Sequence, residues 1–309
     1  MTSVATRAKR RPAAGPPSAS RRSQAVAGWL FSLPFVLVFL VFYAWPIIWS
    51  LLMSLTDMTS RDLRAPFDVN FVGLENFATV LTDPDFFRAL LNTAIVVVVA
   101  VPAILVIALL LAVAVNNGIR RGKAFFRTVY YIPVVTSIVA IAVVWKFLFA
   151  DEGTVNAALG LFGADGPAWL ADPFWALPTI ILLVIWRCFG LVMVIFLAGL
   201  QGIPEGIYEA ARVDGAGAWR RLVSITVPML LPTVLLSAVL MTVAVVQVFE
   251  EPFVITQGGP LNSTTTMAIY IYDQFGFGKY STASAASYIL FAIIALLSLI
   301  QFRLLRSKT

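Results

Sequence analysis

Apolar residues in this chain come in long runs, not in the alternation of a half-buried strand. Six runs reach the roughly 20 residues that a helix needs to cross a bilayer. They lie at 29–52, 92–115, 129–149, 175–199, 227–249 and 284–305. Of 309 residues, 60% are apolar and 12% charged, and the mean hydropathy is +0.90. A water-soluble fold of this size could not cover so much apolar surface. The pattern predicts an all-α polytopic membrane protein with six transmembrane helices.

The stretches between the runs differ from one another. Residues 1–25 are rich in Arg, Ala, Ser and Pro with little to pack, so 1–28 reads as a disordered basic tail. The apolar run that follows is longer than the about 7–15 residues of a signal-peptide core, and no small-residue cleavage site closes it. It is expected to be an uncleaved first helix. In Phe71–Thr93, the residues Leu74, Phe77, Leu81, Phe86, Phe87 and Leu90 recur, and Asp83-Pro84 marks a turn or a helix start. That segment predicts one or two amphipathic helices on the outer face, packed as a cap over the bundle. Segment 150–174 carries Gly153, Gly160, Gly163, Gly166 and Pro167 and reads as loop. Gly258-Gly259-Pro260 reads as an external turn. Residues 29–309 then form one six-helix domain.

Charge orients the bundle. Segments 1–28, 116–128, 200–226 and 303–309 hold six, four, three and three of the 22 Lys and Arg residues. The alternate segments 53–91, 150–174 and 250–283 hold three, none and one. Thirteen of the 16 acidic residues lie in that second set. By the positive-inside rule both termini are cytoplasmic. The basic surplus is thus a topology signal. With no basic domain to carry it, nucleic-acid binding is a poor account of the pI near 9.7. Arg120, Arg121, Lys123 and Arg127 of the short connector can reach anionic lipid headgroups.

Few residues carry candidate chemistry. The chain has no His and one Cys, Cys188, which excludes an internal disulfide and any Cys/His metal site. Arg187 lies mid-span, where a central Arg costs about 2.5–3.5 kcal/mol on insertion scales. It is expected to face the bundle interior, a polar cavity or a carboxylate, lining the pathway or pairing structurally. Glu250 and Glu251 stand at the outer end of the fifth run, and Gln247 one turn earlier. Trp186 could stack on a sugar ring or simply pack. Lys146, near the outer end of the third run, is expected to snorkel to the interface. No Asp or Glu is expected deep in any of the six spans.

The polar segment 204–225 interrupts the apolar pattern differently. Pro204 suits a first helical turn, and Glu205 and Glu209 follow where the helix dipole favours negative charge. Ala210 and Ala211 are small, so another surface can approach. Asp214-Gly215 should break the helix, with Asp214 capping the next one and Gly215 at positive φ. A second helix is expected from Ala216 to about Ile225, showing Trp219, Leu222 and Val223 on one side. Pro228 and Pro232 should kink the following span or limit its first turn. The segment is then either a stiff lever joined to a membrane helix or an interfacial amphipathic helix on lipid.

Residues Glu209-Ala210-Ala211, Asp214-Gly215-Ala216, Trp219, Ile225, Pro228 and Pro232 resemble the conserved cytoplasmic loop of permease subunits of bacterial ABC importers, in the carbohydrate-uptake branch. Leu222 departs mildly, standing where many members carry Phe. Phe125–Phe149 looks like the family's third span, Gln247–Thr265 like its Thr-x-Gly-Gly-Pro segment, and Ile271–Phe291 like the entry to its sixth span.

The resemblance implies a multi-pass subunit of the bacterial plasma membrane that pairs with a second, related permease. It also implies two ATPase subunits beneath, an extracytoplasmic solute-binding protein above, and a sugar as cargo. ATPase coupling would fall to Glu205, Glu209, Ala210, Ala211, Arg212, Asp214, Gly215 and Trp219. The chain itself lacks a Gly-x-x-x-x-Gly-Lys-Ser/Thr loop, so ATP and Mg would be used by the partner ATPases and no cofactor or catalysis is expected here. Other readings are glycerol-phosphate esters or another small polar solute as cargo, an ion-coupled secondary transporter, and a non-transporting scaffold.

Overall fold

Several of the places where the apolar helices of this chain change course lie beside a proline. The structure, a computed structural model, describes residues 18–65, 68–117 and 122–306. The expectations for 1–17 and for Arg120 and Arg121 lie outside these residues. From Ser18 onward the expected basic tail is already helical. Its Ala, Arg and Gln residues are good helix formers, so the helix starts well before the apolar run.

The chain divides into two units, Met1–Leu52 and Met53–Thr309. In the first, α1 (Ser18–Phe39) passes through a π-turn (Leu40–Ala44) into α2 (Trp45–Ser54). Trp45 N–H closes the π-turn on the Leu40 carbonyl, directly before Pro46. Proline has no N–H to give and its ring crowds the carbonyl four residues back, so the preceding turn widens. Together they make one apolar helical stretch from Ser23 to Ser54.

The second unit begins with a short ordered loop. Asp57 accepts from the Asn70 N–H at 2.8 Å and the Asn70 side chain at 2.9 Å, which holds its carboxyl below the usual range. The first expected amphipathic helix is α3 (Glu75–Thr82). The second is not separate, because Pro84 opens α4 (Pro84–Asn117) and the helix runs straight into the expected second span. Asp83 caps that start, its Oδ1 accepting from Asp85 N–H at 2.9 Å. Val80 and Phe86 are fully buried against Tyr270, Ala285 and Ala286, while Leu74 and Phe87 stay exposed.

The third expected span is sharply bent. Residues 129–149 form two helices, α5 (Lys123–Val135) and α6 (Ile138–Leu148), bent by 95°. Pro133 leaves one backbone bond unmade, and the Thr136 hydroxyl takes the Ile132 carbonyl at 2.8 Å. Thr136 and Ser137 then adopt ψ of 147° and 122°, outside the helical region. After α7 (Thr154–Leu161) comes α8 (Pro173–Gln201), capped by Asp172 with Pro173 at its first position.

Next come α9 (Glu205–Val213), α10 (Ala218–Arg221), a π-turn (Leu222–Thr226), α11 (Val227–Met229) and α12 (Leu231–Val246). The chain ends with α13 (Glu250–Ile255), α14 (Met267–Gly276) and α15 (Tyr280–Arg306). Among the described residues, five helical stretches are long and apolar enough to cross a membrane, or six if the bent α5–α6 pair counts as one. Among the described residues the fold is all-helical apart from one isolated bridge, Thr56 to Phe71.

Between lipid-exposed helices apolar burial gives no net drive, so close packing must hold them. Small residues allow it. Ala100, Ala108 and Ala112 of α4 are fully buried, in a core shared with Ile180, Leu183 and Phe196 of α8. Gly190 of α8 lies against the Tyr130 carbonyl of α5 so closely that a Cβ would overlap it.

Candidate functional site

The candidate residues gather chiefly at two polar places in this apolar bundle. The first is the corner between α8 and α12. Pro204 stands at the N-cap position, one residue earlier than expected, and Glu205 opens α9. The C-terminus of α9 is closed twice. Gly215 N–H bonds the Arg212 carbonyl at 3.1 Å and Ala216 N–H the Ala211 carbonyl at 2.8 Å, the paired bonds of a Schellman motif. Gly215 has φ of +72°, as expected, and open space where a Cβ would stand. Any other residue there meets only the backbone penalty of the left-handed region.

One expectation for the corner is corrected. Asp214 is the C-cap of α9 and does not cap the next helix, whose N-cap is Gly217. The Schellman closure uses Gly215 and Ala216 to reverse the chain, so the next helix cannot begin until Ala218. That helix is shorter than expected, because Pro228 imposes a π-turn in which Val227 N–H reaches the Leu222 carbonyl. This repeats the arrangement ahead of Pro46.

Glu209, Ala210, Arg212, Asp214 and Trp219 are exposed, and Ala211 is buried beneath them. Glu209 and Arg212 face each other at 3.9 Å on the surface. Trp219 and Val223 remain exposed while Leu222 is half-buried, so the expected apolar side is only partly covered.

Two residues that the sequence reading did not single out tie the corner to the bundle. The Thr226 hydroxyl donates to the Arg221 carbonyl at 3.3 Å, which leaves the Tyr208 hydroxyl to donate to Thr226 Oγ1 at 3.0 Å. Thr226 is buried, and Arg221 in turn donates to the Ala216 carbonyl at 3.1 Å. Tyr208 stands between two clefts of about 490 and 300 Å³. Asn116, Gln201, Glu205 and Arg212 line the larger one. The available signal was a hydroxyl residue, Thr226, set inside an apolar run just before a proline.

The second place is the middle of α8. Arg187 is its central residue, and it meets Glu251 of α13. Arg187 Nε and Nη2 both approach Glu251 Oε1, at 2.8 and 2.6 Å. Glu251 is wholly buried, whereas 31% of the Arg187 side chain remains accessible. Of the surroundings expected for Arg187, an interior, a polar cavity or a carboxylate, the structure has a carboxylate. The expectation that no carboxylate lies deep in the spans does not hold, since Glu251 sits inside the apolar stretch Leu231–Ile255. α12 breaks at Gln247–Phe249, which folds α13 inward. The Thr266 hydroxyl takes up the Val248 carbonyl freed by that break, at 2.9 Å.

The other candidate pathway groups are only partly gathered. Trp186 is 37% exposed, with its ring 5.7 Å from that of Trp145. Glu250 is exposed at the start of α13. Gln247 opens onto a separate, nearly apolar cleft with Phe249, Tyr272 and Phe275.

A model of the binding-protein-dependent transport system inner membrane component family matches residues 77–308. The chain belongs to this family. It is 39% identical over 94% of its length to the lactose transport system permease protein LacF of Rhizobium radiobacter, covering 98% of that protein. To the arabinooligosaccharides transport system permease protein AraP of Bacillus subtilis it is 32% identical, covering 91% of this chain and 89% of the other. A crystal structure of a bacterial alginate ABC transporter, in complex with an alginate pentasaccharide-bound periplasmic protein, contains a chain of the same fold. The TM-score is 0.78 at 26% identity, over 94% of this chain and 96% of that one. The resemblance carried by the Glu209-Ala210-Ala211 loop thus extends across nearly all of the sequence.

Proposed function

We propose that this chain is the non-catalytic permease subunit of an ATP-driven importer in the bacterial inner membrane, and that its cargo is a sugar or oligosaccharide. The observation that carries this reading is likeness over nearly the whole chain to permease proteins of saccharide transport systems. A second permease would complete the pathway, two ATPases would supply the energy, and an extracytoplasmic binding protein would deliver the cargo. Both termini and the α9–α10 corner would lie on the cytoplasmic side, as the charge distribution implies.

In this mechanism the corner receives force. Nucleotide-driven closure of the ATPases presses on α9, whose exposed Glu209 and Arg212 are available for contact. The Schellman closure and the Tyr208–Thr226 bond then transmit the displacement to the π-turn and α12. The bundle switches between inward-open and outward-open forms. Arg187 and Trp186, mid-membrane and partly accessible, face the pathway. A guanidinium turned to lipid would carry the penalty of an intramembrane charge.

The test has two parts. Mass spectrometry of the complex purified intact through a tag on this chain should recover an ATPase, a second permease and a binding protein. Recovery of the chain alone, even after crosslinking, would refute the assembly. Glu209→Lys and Gly215→Val should each lower ATP-dependent uptake at least severalfold while the complex still assembles. Full uptake in both would show that the corner does not couple. Uptake that survives ATP depletion but not loss of the proton gradient would favour the ion-coupled alternative.

A further inference from the structure

Saccharides differ in charge, and the mid-membrane pair addresses that difference. Two nitrogens of Arg187 converge on one oxygen of Glu251, while Glu251 Oε2 is buried without a protein hydrogen-bond partner. A pair built only for stability would use the fork-to-fork arrangement, or an apolar substitute of the same volume. Here the carboxylate is entirely hidden and only part of the guanidinium is accessible. What the accessible side meets is a set of N–H donors whose charge is cancelled from behind. Glu250, the exposed residue immediately before Glu251, adds a further negative charge.

We infer that Glu251 is a positioning residue that makes Arg187 a charge-neutral hydroxyl donor, so that the pathway accepts neutral saccharides and rejects acidic ones. This rests on the proposed saccharide pathway. A sugar hydroxyl needs a donor and gains little from a full positive charge. A uronate gains from a free guanidinium, but from the pair it receives no net attraction and from Glu250 it receives repulsion. Without Glu251 the same Arg187 becomes an anion site.

Saturation-transfer NMR on the purified complex without its binding protein reads this directly. The probes are neutral disaccharides (lactose, maltose, trehalose) and disaccharides that carry a glucuronate or galacturonate unit. Wild type should show transfer to at least one neutral probe and roughly tenfold less to the acidic ones. Glu251→Gln should reverse that ratio. The double variant Arg187→Gln with Glu251→Gln has no unpaired charge to impair folding, and it should keep the neutral preference. A neutral-to-acidic ratio unchanged in Glu251→Gln, or an acidic preference in wild type, overturns the inference while leaving the saccharide pathway standing. So does an acidic preference in the double variant, which is decisive even if Glu251→Gln does not assemble. Transfer to no saccharide at all in wild type removes the pathway reading, and the inference with it.

Discussion

The α9–α10 corner and the Arg187–Glu251 pair solve opposite problems. The corner is largely exposed and is held by a local backbone closure from Ala211 to Ala216, with one side-chain bond from Tyr208 to Thr226 beside it. The pair is buried on its carboxylate side and joins residues 64 positions apart. A local closure forms wherever its residues occur, because glycine at positive φ and free carbonyls are sufficient for it. A buried ion pair forms only when the surrounding helices are already assembled, and it is harmful when half of it is missing. The corner should therefore tolerate change in stability while losing transmission. The pair should show the reverse sensitivity.

The largest effect is expected at the pair. Glu251→Ala leaves a guanidinium without its carboxylate and should destabilise the protein by roughly 3–5 kcal/mol. Arg187→Met combined with Glu251→Leu should recover most of that loss, because neither charge is then left unpaired. Thermal unfolding of the three proteins in one detergent measures both. A single variant as stable as wild type would break the contrast, since the pair would then be as dispensable as a surface contact.

A smaller effect is expected at Gly190, where packing and not charge is in question. Gly190→Val forces a side chain against the Tyr130 carbonyl and should cost about 1–3 kcal/mol by overpacking. A loss in that range, with the corner unaffected, would place the bundle's rigidity at the α5–α8 crossing. No loss would show that α5 can move away from α8, as its 95° junction with α6 would permit.

These differences also explain what the sequence disclosed. The apolar runs are long, so five of the six expected spans appear as long helical stretches, and the corner was legible because Gly215 and the prolines act locally. The bend at Thr136 was not, because Val, Ile and Trp on both sides of it keep the run apolar. Pro133 alone does not tell a kink from a break. The depth of Arg187 called for the bundle interior, a polar cavity or a carboxylate without choosing among them, and the choice of Glu251 depended on the break at Gln247–Phe249, where Pro252, four residues after Val248, does not by itself tell a kink from a break. The role of Asp214 was misassigned because Asp serves either end of a helix boundary. Only the backbone bonds of Gly215 and Ala216 distinguish the two.

The smallest effect on stability, and the sharpest on transmission, is expected from Tyr208→Phe. The ring stays between its two clefts and only the hydroxyl is lost. Thr226 keeps its bond to the Arg221 carbonyl, so no buried group is orphaned, and the cost should lie at the low end of about 0.5–1.5 kcal/mol. Thermal unfolding should barely move. Coupling is another matter, because that hydroxyl is the side-chain bond from α9 to the π-turn that leads into α12. In the reconstituted complex, ATP hydrolysis should persist while cargo moved per ATP falls by about half or more, a loss of the order expected for one hydrogen bond in a coupling step. An unchanged ratio would mean that packing of Ala211 and the Schellman closure carry the displacement unaided. The corner would then be rigid through its backbone alone, and its contrast with the charge pair would be complete.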